Sequence, residues 1–218
     1  MKFTKDEIRA SMLLYADRMW LKEGESLVSV AEKVLQNGAT FLQIREKDLD
    51  EESFEEESEK LKALCNAYHV PFVVNDSVEI ALQCGADGVH VGQSDIKGRD
   101  IRAIIGPDKI LGISAGTVEQ AMAAEKAGAD YIGVGAVFPT STKKDAKPMD
   151  PELLRSISNS VSIPVVAIGG ISAGNILKLS GSGVDGVAVV SAIFGAEDPG
   201  RATAELRKLS AQMVAVHE

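Results

Sequence analysis

The sequence predicts a closed barrel of eight parallel strands in which helices alternate with the strands, and two observations support this class. A short segment that ends a helix and starts a strand recurs four times, and eight short apolar segments alternate with helix-like stretches. Strict alternation of strand and helix favours a parallel sheet with both faces covered. Eight strands favour a (β/α)8 barrel, whereas a doubly wound open sheet of five or six strands is the structural alternative.

The recurring segment has a glycine at its second position and an apolar run at its end. A glycine can adopt the left-handed conformation just beyond a helix, and short runs rich in β-branched residues favour strands. The four copies are residues 37–42, 84–89, 127–132 and 182–187.

Extending this pattern gives the remaining elements. Strands are expected near residues 12–16, 40–45, 71–75, 87–91, 110–114, 131–135, 164–168 and 186–190. Helices are expected over residues 26–36, 51–68, 118–127 and 199–216. No Pro, Gly or Ser linker and no change of composition divides the chain, so we expect a single barrel domain over residues 1–218 with its active site at the carboxyl ends of the strands.

Composition and charge exclude several classes of protein. Hydrophobic residues make up 45% and charged residues 25%, which is typical of a folded globular protein. No apolar run is long enough to span a membrane, and seven of the first twenty residues are charged, which is unlike a secretory signal. A cytoplasmic protein is therefore expected. The net charge of −9 disfavours nucleic acid and anionic membranes as partners. Cys65 and Cys84 lie in predicted helices and are interpreted as free thiols, not as a disulfide or a zinc site.

The carboxyl ends of the strands are where a barrel of this kind carries its chemistry. Along the second strand Leu42 and Ile44 share one face, whereas Gln43, Arg45 and Lys47 share the face toward the barrel axis and its mouth. Two cations and an amide on one face indicate an anion site more strongly than a single solvated charge would.

The third and fourth strands end in polar residues. Asn75 and Asp76 follow the third strand and could instead cap a helix, and Asp95 follows the fourth strand. Two carboxylates on adjacent strand ends suit Mg²⁺ held together with phosphate oxygens. His90, on the inner face, is interpreted as a hydrogen-bonded interior histidine without a catalytic role.

The fifth and sixth strands add hydroxyls and lysines. Ser114 has no histidine near it in sequence, so it is interpreted as a donor to phosphate or as a helix cap, not as a nucleophile. Gly133 and Gly135 leave room beside the axis, and the loop over residues 138–145 suits an anion, although it could also be a solvated surface loop.

The seventh strand ends in Gly169 and Gly170, and the eighth ends near Ser191. The loops after these two strands form a frequent phosphate site in such barrels. The sequence therefore predicts two anion sites, one of them beside a metal.

Taken together, these segments resemble, in order and spacing, the motifs of the thiamine phosphate synthase family over nearly the whole chain. The segments that carry the resemblance are residues 43–47, 75–76, 87–93, 112–114, 139–143 and 168–170. The resemblance implies a transferase of thiamine biosynthesis that joins 4-amino-2-methyl-5-pyrimidinylmethyl diphosphate to a thiazole phosphate, or its carboxylated form. Diphosphate is released, and one Mg²⁺ per subunit serves as cofactor.

The resemblance also implies roles for individual residues. The residues expected to hold the pyrimidine diphosphate are Gln43, Ile44, Arg45, Glu46, Lys47, Asn75, Ser114 and Lys143, of which Arg45, Lys47, Ser114 and Lys143 would be catalytic. The residues expected to hold the thiazole phosphate are Thr140, Ser141, Thr142, Gly170, Val190 and Ser191. Asp76 and Asp95 would ligate the metal.

Departures from the family pattern concern the mouth of the barrel. The first strand is about two residues short, Gly116 stands where a histidine is common, and Ala136 stands where a proline is common. The alternatives are a thiazole tautomerase of the same barrel family, a phosphosugar isomerase or lyase, and a non-catalytic sensor of phosphate ligands. The sequence does not indicate an oligomeric state.

Overall fold

A computed structural model describes residues 12–16 as backbone, and residues 20–140 and 148–215 with their side chains. The strands are β1 Met12–Ala16, β2 Phe41–Ile44, β3 Phe72–Asn75, β4 Gly88–Val91, β5 Ile110–Ala115, β6 Tyr131–Gly135, β7 Val165–Ile168 and β8 Gly186–Val189. The α-helices are α1 Leu27–Gln36, α2 Glu51–Ala67, α3 Val78–Gln83, α4 Ile101–Ile105, α5 Val118–Lys126, α6 Pro151–Asn159, α7 Ser191–Phe194 and α8 Pro199–Val214.

The eight strands are parallel and follow one another in chain order around a closed barrel, in which β1 pairs with both β2 and β8. The architecture is TIM-barrel-like, and each predicted strand lies within a residue or two of an observed one. Strand β7 is followed by a 3-10 helix, Ile176–Leu179, in place of an α-helix. The sequence analysis did not assign α3, α4, α6 or α7, of which α3, α4 and α7 have six residues or fewer.

Polar side chains start the helices where the strands end. Ser26 accepts a hydrogen bond from the Ser29 amide, and Asp50 accepts one from the Ser53 amide, so one free amide in the first turn of each of α1 and α2 is satisfied. Pro151 occupies the first turn of α6, where its missing N–H costs nothing.

The apolar core has two layers. The larger layer lies between the strands and the helices, and a smaller one fills the barrel interior. In the inner layer Phe41 and Tyr131, both fully buried, meet edge to face with ring centroids 5.8 Å apart. Such a pair closes the middle of the barrel and adds about 1 kcal/mol to the burial of its area.

The recurring segments of the sequence join neighbouring strands at the amino-terminal end of the barrel. Asp87 and Phe72 exchange two hydrogen bonds, since the Asp87 amide donates to the Phe72 carbonyl (2.9 Å) and the Asp87 carboxylate accepts from the Phe72 amide (2.8 Å). Asp130 and Leu111 repeat this exchange. The pairs β3–β4 and β5–β6 are thereby clamped at the end opposite the mouth.

We expect Asp130→Ala to lower the free energy of unfolding by about 2–3 kcal/mol, because the buried Leu111 amide loses its acceptor and the Arg102 guanidinium (2.6 Å from Asp130) loses its carboxylate partner. Urea unfolding measures the change. Glu205→Ala, on the exposed face of α8, is the control and should shift stability by less than about 0.5 kcal/mol. A loss no larger than that of the control would contradict a clamping role.

In the part of the chain that the structure describes, no helix combines the length and the apolar character needed to cross a bilayer. Cys65 and Cys84 are free thiols, as predicted. Burial raises the pKa of the Cys65 thiol to about 12, so this thiol stays protonated at neutral pH.

Candidate active site

A cavity of about 550 Å³ opens at the carboxyl ends of the strands. Most of the predicted site residues line it together: Arg45, Lys47, Asn75, Asp76, Asp95, Ser114, Thr140, Gly170, Val190 and Ser191. The structure therefore brings these positions together at one end of the barrel, while the roles assigned to them stay predictions.

Three predicted residues of β2 and its loop do not line the cavity. The Ile44 side chain is fully buried in the layer between strands and helices, so the expectation that it contacts a substrate is wrong for the side chain. Strand alternation explains this, since Ile44 faces away from the axis. Glu46 is half-buried beside the mouth and is also absent from the lining.

Gln43 lies deeper than expected. Its side chain is fully buried and, with His90 and Tyr131, lines a second cavity of about 10 Å³ below the mouth. Neither amide atom has a hydrogen-bond partner among the described residues. Ser141, Thr142 and Lys143 lie outside the described residues.

The end of β3 presents its polar side chains to the cavity and not to a helix. Ser77 caps α3 by accepting from the Ile80 amide (3.1 Å), so the alternative role of Asn75 or Asp76 as a helix cap is excluded. Asp76 adopts a left-handed φ of 67° and donates its amide proton to the His90 carbonyl (2.8 Å). A non-glycine residue in this region carries strain that is typical of functional sites.

Asp95 is held by the turn that follows β4. The Gly92 amide donates to Asp95 Oδ2 (2.8 Å), and the Ser94 hydroxyl donates to Oδ1 (3.2 Å). Gly92 leaves this space open, because a Cβ there would lie 3.0 Å from Asp95 Oδ2. The carboxylate is thus fixed in direction before any ligand binds.

The two carboxylates influence each other. Burial raises the pKa of Asp76, and the neighbouring charge of Asp95 raises it further, whereas Arg45 and Lys47 act in the opposite direction. A pair of carboxylates beside two cations is a hard-oxygen donor set that suits Mg²⁺ together with an anionic ligand. No group of three or more metal-ligating side chains occurs among the described residues, so further donors would have to come from ligand or water.

Ser114, at the end of β5, has a partner that the sequence analysis missed. His90 Nε2 lies 2.9 Å from Ser114 Oγ, and His90 Nδ1 lies 2.9 Å from Tyr131 Oη. His90 is an interior, hydrogen-bonded histidine as predicted, and the fold brings it to Ser114 although no histidine is near that serine in sequence. The register pairs His90 with Gly112, which brings its ring beneath the serine two residues further along β5. Thr117, not Ser114, caps α5.

Two further side chains hold the β5 end in place. Gln93 Nε2 donates to the Ser114 carbonyl (2.6 Å), and Gln120 Oε1 accepts from the Gly116 amide (2.7 Å). Both glutamines line the cavity. At position 116, where the sequence departs from the pattern, the glycine amide is therefore tied back to α5.

The ends of β6 and β7 pack closely on each other. Gly169 and Gly170 have φ of 100° and 67°, and a Cβ on Gly170 would lie 2.8 Å from the Phe138 carbonyl oxygen and closer still to that of Pro139. The Phe138 amide donates to the Gly169 carbonyl (3.0 Å). Because Gly170 has no side chain, the loop after β6 can pack directly against the end of β7. Gly170 also lines the cavity.

The family model described as thiamine monophosphate synthase matches residues 14–193. The thiamine-phosphate synthase of Clostridium tetani is 46% identical over 196 residues, which cover 90% of this chain and 93% of that protein. The corresponding protein of Ruminiclostridium cellulolyticum is 48% identical over 194 residues, 89% of this chain and 92% of its own length.

A solved structure agrees with these sequence relatives. The thiamine phosphate pyrophosphorylase from Pyrococcus furiosus superposes with a TM-score of 0.85 at 40% identity, covering 95% of this chain and 98% of that chain. The resemblance noted from the motifs is therefore confirmed, and the chain belongs to the thiamine monophosphate synthase family.

Proposed function

We propose that this protein is a thiamine phosphate synthase, a transferase that moves the 4-amino-2-methyl-5-pyrimidinylmethyl group from diphosphate to the ring nitrogen of a thiazole phosphate. The observation that carries the proposal is one cavity with a carboxylate pair and two cations at the β2–β4 ends, and glycine and hydroxyl groups at the β6–β8 ends. The names of the related proteins, thiamine-phosphate synthase, support the same reaction. We also propose that the chain forms a single (β/α)8 domain, which the closed strand order supports.

On the side of the cavity formed by the ends of β2 to β5, the pyrimidine diphosphate would be held by Arg45, Lys47, Asn75 and Ser114. Gln43 could reach it only from below the mouth, and Lys143 is assigned from the sequence alone. Asp76 and Asp95 would hold one Mg²⁺, which when bound supplies positive charge to the diphosphate oxygens. Together with Mg²⁺, Arg45 and Lys47 would offset the overall negative charge of the chain at the site itself.

The chemistry needs no protein nucleophile. The bond between the methylene carbon and the diphosphate oxygen breaks, and the electron pair leaves with diphosphate. The electron-rich aminopyrimidine stabilises the carbocation, and the thiazole nitrogen lone pair then forms the new C–N bond. Arg45 and Lys47 stabilise the negative charge that grows on the leaving group, and the cavity holds the two reactants in line.

On the side of the cavity formed by the ends of β6 to β8, the thiazole phosphate would be held by Thr140, Gly170, Val190 and Ser191. Ser141 and Thr142 are assigned to the same group from the sequence alone. Left-handed glycines at the end of β7 suit this role, because such turns expose backbone amides to an anion. We further propose a cytoplasmic location and small phosphorylated substrates as partners, without nucleic acid or membrane.

The test is a diphosphate-release assay with both substrates, with and without Mg²⁺. Release that requires both substrates and Mg²⁺ is the expected result. Conversion of the thiazole phosphate without any diphosphate release would indicate a tautomerase instead. Binding of ligands without turnover would indicate a sensor. The carboxylate pair favours the synthase, since neither alternative needs a metal site beside a diphosphate.

Gly170→Ala is expected to weaken thiazole phosphate binding by about tenfold, roughly 1.4 kcal/mol. The reason is that the new Cβ would push the carbonyls of Phe138 and Pro139, and with them the β6 loop, away from the β7 end. Calorimetric titration with each substrate separately measures the effect. Gly174→Ala, whose Cβ would meet only the Ser172 hydroxyl at 3.9 Å, is the control. Equal loss of pyrimidine diphosphate binding would show that the two sides are not separate.

A further inference from the structure

Three polar side chains from consecutive strands form a buried chain below the cavity. Tyr131 on β6 is fully buried and His90 on β4 is 3% exposed, while Ser114 on β5 reaches the cavity. Both links, from Tyr131 Oη to His90 Nδ1 and from His90 Nε2 to Ser114 Oγ, are 2.9 Å long. These hydrogen-bonded side chains connect the barrel interior with the position at which diphosphate is proposed to bind.

Two glycines make room for this chain of side chains. A Cβ on Gly112 would overlap the Tyr131 phenol and lie 2.5 Å from His90 Nδ1. A Cβ on Gly133 would lie 3.0 Å from His90 Cε1. A side chain at Gly112 would thus displace Tyr131 or His90, and one at Gly133 would crowd the imidazole. The absence of side chains at these two glycines therefore provides the space that the two rings occupy.

The direction of the hydrogen bonds follows from the ligand that Ser114 would meet. A neutral histidine offers one N–H and one acceptor nitrogen. If the phenol donates to Nδ1, then Nε2–H donates to Ser114 Oγ, and the serine O–H is left to point at a ligand oxygen. The opposite order would turn the serine lone pairs toward an anion, which is electrostatically unfavourable. The backbone of Ser114 is held independently, since Gln93 donates to its carbonyl (2.6 Å).

We propose that Tyr131 and His90 are positioning residues that fix the Ser114 hydroxyl as a hydrogen-bond donor to the diphosphate group. This inference rests on the proposed function, because the ligand at Ser114 is taken from it. Neither Tyr131 nor His90 touches the diphosphate in this arrangement. Each acts only through the serine, and that restriction makes the proposal testable.

The test is a double-mutant cycle with Tyr131→Phe, Ser114→Ala and the double variant. Calorimetry measures the affinity for inorganic diphosphate in the presence of Mg²⁺, and the assay with both substrates gives kcat and KM. We expect Ser114→Ala to weaken diphosphate binding by about tenfold or more and Tyr131→Phe by about fivefold. In the Ser114→Ala background, Tyr131→Phe should have no further effect, because the group through which it acts is gone.

Two other variants separate positioning from general loss of structure. His90→Gln, which keeps an amide N–H near the place of Nε2, should retain more affinity than His90→Ala. Ser182→Ala removes a buried hydroxyl that donates to the Leu179 carbonyl elsewhere in the fold, and it should leave diphosphate affinity unchanged.

Additive effects of Tyr131→Phe and Ser114→Ala would overturn the proposal, as would a wild-type protein that does not bind diphosphate. Failure of the proposed function gives a different pattern. In that case the wild type binds diphosphate but releases none from the two substrates, and the binding cycle still decides whether Tyr131 acts through Ser114.

Discussion

Asp95→Asn is expected to lower the rate of diphosphate release by about a hundredfold or more, which corresponds to roughly 3 kcal/mol of transition-state stabilisation. Asparagine keeps an oxygen that can accept from the Gly92 amide, so the turn after β4 should hold its shape. What disappears is the negative charge proposed to hold the cation. The rate measured as a function of Mg²⁺ concentration should show a much weaker dependence than in the wild type.

Asp100→Asn is the matched control for this variant. Asp100 is exposed and caps α4 by accepting from the Ala103 amide (3.0 Å), a bond that asparagine can also accept. Its rate and Mg²⁺ dependence should match those of the wild type. Near-wild-type turnover of Asp95→Asn at low Mg²⁺ would contradict the assignment of Asp95 as a metal ligand.

Asp76→Asn is expected to abolish most of the activity and yet to stabilise the metal-free protein at neutral pH. Burial and the charge of Asp95 raise the pKa of Asp76, so its ionised form costs folding free energy. The cost is absent below the unfolded pKa of 3.8 and is complete once the pH exceeds the raised value in the fold. The stabilisation by asparagine should therefore be present at pH 7 and should vanish in acid. Asparagine also tolerates the left-handed backbone at this position.

Urea unfolding at several pH values, in the presence of a chelator, measures this effect. Asp50 offers a control of opposite sign. Its hydrogen bonds with the Ser53 amide and hydroxyl lower its pKa, so Asp50→Asn should reduce stability at neutral pH, with the difference again fading in acid. A destabilised Asp76→Asn at pH 7 would show that the attraction of Arg45 and Lys47 outweighs the burial and repulsion of Asp76.

The sequence predicts the barrel well because its signals are local. Each helix stop before a strand depends on a few adjacent residues, and strand alternation places Arg45 and Lys47 on the mouth side without any knowledge of the neighbours. The same alternation, applied strictly, also excludes the Ile44 side chain from the cavity, whereas the family resemblance included it.

Contacts that depend on the register between strands are less accessible to sequence reasoning. The bond between His90 and Ser114 joins residues 24 positions apart and exists because β4 and β5 pair in one particular register. Ser77 and not Asp76 caps α3, and Asp76 has a left-handed backbone conformation that its residue type does not predict. Likewise, the proximity of Gly170 to the β6 loop follows from how two strand ends pack, which no local pattern encodes.

The edge-to-face pair of Phe41 and Tyr131 has a consequence for the order of events in turnover. Because the inner apolar layer fills the barrel below the cavity, both substrates and both products of the proposed reaction would pass the same opening at the mouth. Whichever substrate binds deeper has to enter first, and the product that lies nearer the mouth has to leave first. For the proposed reaction, the filled barrel interior therefore favours a sequential, ordered kinetic mechanism, in which the inner side of the proposed carbocation would be kept from water.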